Sequence, residues 1–106
     1  MRLTKEKADK IQKQVLTACT KFKKIGWRIV KGTFGNGQDK TCCPLSASLG
    51  LVEEEHLDVI SKIAKKFHLT RAQVWQILFG IDGKYANDDQ RPCVKLGFSI
   101  ASKLWK

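Results

Sequence analysis

Proline is scarce in this chain of 106 residues, with two in all, and methionine and tyrosine occur once each. Two prolines cannot build a stiff extended linker, and the eight glycines are too dispersed for a flexible one, so no low-complexity segment divides the chain. Long apolar runs are also missing. Charges interrupt every candidate well before the roughly 18 consecutive apolar residues that mark a bilayer span, so no membrane span is expected. Met1-Arg2-Leu3-Thr4-Lys5-Glu6-Lys7 lacks an apolar stretch followed by small residues. Nothing there reads as a secretory signal, and the expected location is cytoplasmic.

Acidic residues are the other shortage. Ten Asp and Glu face twenty Lys and Arg, a formal net charge of +10. Hydrophobic residues at 42% exceed what a disordered chain carries, and the length suits a single domain over residues 1–106. The charge is uneven: residues 1–40 hold eleven Lys and Arg against Glu6, Asp9 and Asp39, a net of +8. Such a block attracts phosphate backbones or acidic surfaces. It also suits a solvated helix face.

Cys19, Cys42, Cys43 and Cys93 are four in a short chain, yet without a secretory signal they are expected to be reduced, and no disulfide scaffold is expected. Zinc sites use close ligand pairs that a turn aims at one ion. Adjacent Cys42 and Cys43 cannot easily both face one ion, and His56, His68 and Cys93 show no paired spacing. No metal and no cofactor is expected, and the thiols read as buried structural groups.

The periodicity is helical. Ala8, Ile11, Val15, Ala18, Cys19, Phe22 and Ile25 fall three and four apart, one stripe of a helix capped by Thr4 and stopped at Gly26, with most lysines off the stripe. Trp27-Arg28-Ile29-Val30 alternates in a β-favouring way and runs into a glycine-rich loop, so a short hairpin near residues 27–41 is expected. Those glycines lack the lysine and hydroxyl of a phosphate loop. Pro44 starts a short helix stopped by Gly50. Glu53, Glu54 and Glu55 open another, carried by Leu57, Ile60, Ile63, Ala64 and Phe67. Thr70 caps the next, with Val74, Ile77 and Leu78 inward and Gly80 as its stop; a polar loop over 81–90 follows. Arg91-Pro92 begins the last helix, whose expected inward residues are Val94, Phe98, Ala101, Leu104 and Trp105. The expected fold is mainly α: four to five helices around one core.

The stretch from Ile60 to Ile77 resembles the helix-turn-helix of DNA-binding proteins. It carries a small residue at a helix crossing, Ala64; apolar neighbours Ile63, Phe67 and Leu69; a capping hydroxyl, Thr70; and buried anchors Val74 and Ile77. His68 stands at the turn position usually held by glycine, and Trp75 stands outward in the second helix. The resemblance implies that Thr70, Arg71, Gln73 and Gln76 approach base edges in a major groove, with Lys65 and Lys66 at phosphates. Lys10, Lys13 and Lys24 of the basic first helix are further candidate phosphate contacts. An ordinary packed helix pair gives a similar pattern.

No catalytic residue is expected. His56 has no nucleophile with a positioned partner, Ser46 and Ser48 lack a nucleophile elbow, and Asp82, Asp88 and Asp89 lack the alternate spacing of a calcium loop. Trp27, Trp75, Phe79, Phe98 and Trp105 are expected mostly to pack the core, with stacking on single-stranded nucleic acid as their other use. Two functions therefore stand: nucleic-acid binding, or a non-enzymatic protein-interaction or regulatory module whose basic helix meets an acidic protein partner. They differ in whether Trp75 faces solvent beside Arg71 and Gln76 or is buried against the last helix.

Overall fold

A computed structural model describes residues 3–32, 35–36, 38–50 and 56–105. The described elements are α1 (Lys5–Lys24), β1 (Arg28–Ile29), β2 (Gly35–Asn36), β3 (Thr41–Cys42), α2 (Pro44–Ala47), α3 (His56–Phe67), α4 (Arg71–Ile81) and α5 (Pro92–Leu104). The fold is thus mainly helical. Its radius of gyration is 12.7 Å, close to the ~13 Å of a compact chain of this length.

Thr4 caps α1 as its sequence foretells: its Oγ1 accepts from the Lys7 amide at 3.1 Å. Ile11, Val15 and Cys19 are buried along the expected stripe. Ile25 is not, at 66% exposed, because the helix ends at Lys24 and Ile25 leaves helical geometry as the C-cap. Beyond it Gly26 turns left-handed at φ +93°. The Trp27 amide then reaches back to the Phe22 carbonyl and the Gly26 amide to that of Lys23. This paired closure sets the two flanking side chains together, and the rings of Phe22 and Trp27 meet edge to face at 5.1 Å.

The hairpin expectation is extended by a further strand. β2 and β3 pair antiparallel, while β1 pairs parallel to β3, giving the order β1-β3-β2. Cys42 and the whole of α2 are buried, and Leu45 is among the most enclosed side chains. The acidic run Glu53–Glu55, expected to open α3, lies outside the described residues, as do Thr33, Phe34 and Gly37 of the glycine-rich loop.

Gly80 does not stop α4, which continues to Ile81. Instead it lies against Gly97 where α4 and α5 cross. A Cβ at Gly80 would stand 2.7 Å from the Val94 carbonyl oxygen, and one at Gly97 would stand 2.9 Å from the Gly80 Cα. Only paired glycines allow two backbones this close. The inward side of α5 is accordingly Cys93, Val94, Leu96, Gly97 and Ile100; Phe98, expected inward, is half-buried, as are Ala101, Leu104 and Trp105.

The core is largely aliphatic, with Phe67 its buried ring. Ile60, Ile63, Val74, Ile77, Val94 and Ile100 are fully enclosed, each such side chain contributing ~1.5–3 kcal/mol relative to exposure. The rings expected to pack the core lie at its margin: Trp27, Phe79, Phe98 and Trp105 are half-buried, and Trp75 is 36% exposed. Their size explains this, since branched aliphatics fill narrow gaps between short helices that a bicyclic indole cannot enter.

Candidate functional site

The α3–α4 turn is built from local hydrogen bonds. The His68 amide donates to the Lys65 carbonyl and the Leu69 amide to that of Ala64, the same paired closure seen after α1. Here the left-handed residue is His68, at φ +55°. The Lys7 ammonium donates to the His68 carbonyl at 2.7 Å, pinning the start of α1 to the turn. Ala64, Ile63 and Phe67 are buried and Leu69 is half-buried. Thr70 then caps α4 in a reciprocal box: its Oγ1 accepts from the Gln73 amide at 3.1 Å, and the Gln73 Oε1 accepts from the Thr70 amide at 2.9 Å. Thr70 with Gln73 three residues on is the sequence signature of that box.

The expected base-reading residues therefore divide. Thr70 and Gln73 commit polar atoms to the cap, while Arg71 is exposed and Gln76 half-buried. Trp75, one turn after Arg71, is 36% exposed, partly covered and partly open to solvent. Its ring lies 5.3 Å from that of Phe79, and Phe79 lies 6.2 Å from Tyr85. Two cations cover this row. The Lys84 ammonium stands 5.1 Å from the Phe79 ring centre, and the Arg91 guanidinium stands 4.5 Å from that of Tyr85. Asp89 holds Arg91 in place through paired contacts, the shortest 2.8 Å. The guanidinium in turn keeps the Asp89 carboxyl below the usual carboxylate range.

Lys84, Tyr85 and Arg91 are the site residues that sequence reasoning missed. A usable signal was Gly83: turning left-handed at φ +75° after α4, it returns the Lys84 amide to the Phe79 carbonyl and sets those side chains together. Arg91 arrives from the start of α5.

The candidate phosphate contacts do not form one cluster. Lys10, Lys13 and Lys24 are exposed on α1, and Lys65 is exposed on α3. Lys66 donates to the Ser48 carbonyl at 2.6 Å and joins Lys13 and Lys21 along a groove between α1 and the end of α2. The groove floor is apolar, from Ala18, Phe22, Ala47 and Leu49, and none of its described lining residues is acidic.

All four cysteines are free and buried. Burial, reinforced by the neighbouring Cys42 and Cys43, pushes the Cys19 thiol up to about 12. Burial, with Cys43 beside it, pushes Cys42 up to about 11. Cys43 is also raised by burial, although its sulfur accepts from the Ser46 amide and bonds the Ser46 hydroxyl. At neutral pH these groups are thiols, which lack the nucleophilicity of a thiolate. Among the described residues no three His, Cys, Asp or Glu side chains converge as a metal cage would require, and no helix is long and apolar enough to cross a membrane.

No protein family, curated protein or solved structure matches the chain.

Proposed function

We propose that this protein binds nucleic acid, with the solvent face of α4 as the contact surface and the lysines of α1 as the electrostatic hold. The observation that carries this reading is the exposed Trp75, one turn from exposed Arg71 and in a row of rings flanked by Lys84 and Arg91. About a third of the Trp75 surface stays open to solvent, and tryptophan is enriched among the side chains that anchor a partner. Rings edged by cations suit nucleic acid: bases stack on the rings while the cations meet phosphates. The α3–α4 pair also supports a groove-reading helix of the helix-turn-helix kind, with Arg71 and Gln76 supplying the outward polar atoms. The net +8 of residues 1–40 supplies attraction independent of sequence.

Binding of labelled mixed-sequence oligonucleotides across a salt series tests the reading. Affinity for duplex should fall steeply with salt, with a slope of about 0.9 per phosphate neutralised. Replacing Lys10, Lys13 and Lys24 with Gln should flatten that slope by up to roughly three units. Arg71→Ala should narrow the preference between sequences instead. Absence of binding to any oligonucleotide at micromolar protein would overturn the proposal. It would favour a protein-interaction module, for which the lysine-rimmed groove with its apolar floor offers an acidic partner a seat.

A further inference from the structure

Trp75 and Phe79 form one wall of a cavity whose other walls include Pro44, Leu78, Asp82 and Lys84. Its volume is about 90 Å³, some three times the ~30 Å³ that one water takes up in the liquid, which suits one flat ring. Leu78, Phe79 and Pro44 supply apolar surface of the kind that accepts a ring. The Asp82 Oδ1 accepts from the Gly32 amide at 2.8 Å, and a carboxylate has acceptor sites beyond that one bond. At the edge stands the Lys84 ammonium, held over Phe79.

Building on the nucleic-acid reading, we infer that the ligand is single-stranded and that one unpaired base enters this cavity: Trp75 stacks on a neighbouring base, Asp82 accepts from the exocyclic amine of the inserted base, and Lys84 meets the adjoining phosphate. A paired base cannot enter without being turned out of its stack, which costs a few kcal/mol in a duplex and little in a single strand. An acceptor opposite an exocyclic amine favours cytosine, whose N4 group is a donor, over thymine, whose O4 is an acceptor. The base and phosphate contacts then come from one short element, since Trp75, Phe79 and Asp82 share α4 with its C-cap and Lys84 follows within two residues.

The test uses the intact protein, with the intensity and wavelength of tryptophan emission and oligonucleotide anisotropy as readouts. The probes are oligo-dC, oligo-dT, a mixed-sequence single strand and the same sequence as duplex. Oligo-dC is expected to bind more tightly than oligo-dT, and the single strand more tightly than the duplex. Trp75→Ala should lower single-strand affinity by about 5- to 150-fold, the range for loss of one stacked base. Lys84→Gln should flatten the single-strand salt slope by about 0.7. Lys84 is exposed and Trp75 is 36% exposed, so far-ultraviolet circular dichroism of each variant accompanies the titration to show that the fold is kept. Equal affinity for single strand and duplex overturns this inference and leaves the nucleic-acid reading standing. Equal affinity for oligo-dC and oligo-dT overturns the seat against Asp82. Failure to bind every probe overturns the parent reading as well.

Discussion

Gly97→Ala should unfold this protein more easily although it replaces a poor helix former with the best one. In an exposed helix interior, Gly to Ala stabilises by about 1 kcal/mol. At Gly97 the added methyl meets the α4 backbone: the Gly80 Cα and the Ile81 nitrogen both lie 2.9 Å from the ideal Cβ position, and the Ile77 carbonyl oxygen is also inside contact distance. Comfortable contact needs ~3.5–4.0 Å, so α5 must move outward by the better part of an ångström. Backbone atoms cannot rotate aside as side chains do. That shift would loosen Ile77, Ile81 and Val94, all buried at the same crossing. Overpacking of this kind costs typically ~1–3 kcal/mol, and more where backbone is the obstacle. Set against the propensity gain, the expected net loss is about 2 kcal/mol, or a melting temperature lower by roughly 10 °C. Thermal and urea unfolding followed by far-ultraviolet circular dichroism measures it, with exposed Ser102→Ala on the same helix as a control that should be neutral or slightly stabilising. An unchanged or raised melting temperature for Gly97→Ala would refute the close crossing.

Three more expectations follow from the local geometry. Thr70→Ala removes the hydroxyl that accepts the Gln73 amide and should cost about 1 kcal/mol, seen as a lower urea midpoint; no change would mean that the cap contributes nothing. His68→Gly relieves a left-handed backbone that costs a non-glycine residue ~1–2 kcal/mol, offset by ~0.4–1 kcal/mol of added chain freedom when unfolded. A gain below about 1 kcal/mol should therefore appear, and a loss would show that the His68 side chain supports the turn. The thiols set a basic limit on stability. An unfolded thiol titrates near 9.0, whereas Cys42 and Cys19 release their protons only near 11 and 12 in the fold, chiefly through burial. The unfolded state thus loses protons first as pH rises. Stability from these groups is complete below pH 9.0 and falls from there through about 11 and 12. Urea midpoints on either side of that window should show the fall, and rapid alkylation of all four thiols in the native protein at neutral pH would contradict their burial.

The helical architecture was legible because periodicity and caps are local signals. Ile11, Val15 and Cys19 repeat at helical spacing, Thr4 and Thr70 are hydroxyls before helices, and Pro44 and Pro92 begin theirs. Gly80 was misread for a physical reason. A glycine after an apolar run marks a helix end in the absence of tertiary contact, but here its missing Cβ admits the backbone of α5. Periodicity shifted the inward face of α5 toward Phe98 because apolar residues occupy both sides of it. Arg71, Trp75 and Gln76 could be placed outward on α4 from spacing alone, and the exposure of Trp75 agrees. For Lys84 the signal was the turn at Gly83, whereas Tyr85 and Arg91 meet across a loop without periodicity and could not be placed together from spacing. The cavity beside Trp75 was equally hidden, since Pro44 and Asp82 lie far apart in sequence.

Whether nucleic acid meets the solvent face of α4 can be read residue by residue from nuclear magnetic resonance. Backbone amide and indole signals would be followed while a mixed-sequence oligonucleotide is added in moderate salt. The largest shifts are expected on Arg71, the Trp75 indole, Gln76, Phe79 and Lys84, with smaller, salt-sensitive shifts at Lys10, Lys13 and Lys24. Shifts confined to α1, with the Trp75 indole unmoved at saturation, would contradict that contact.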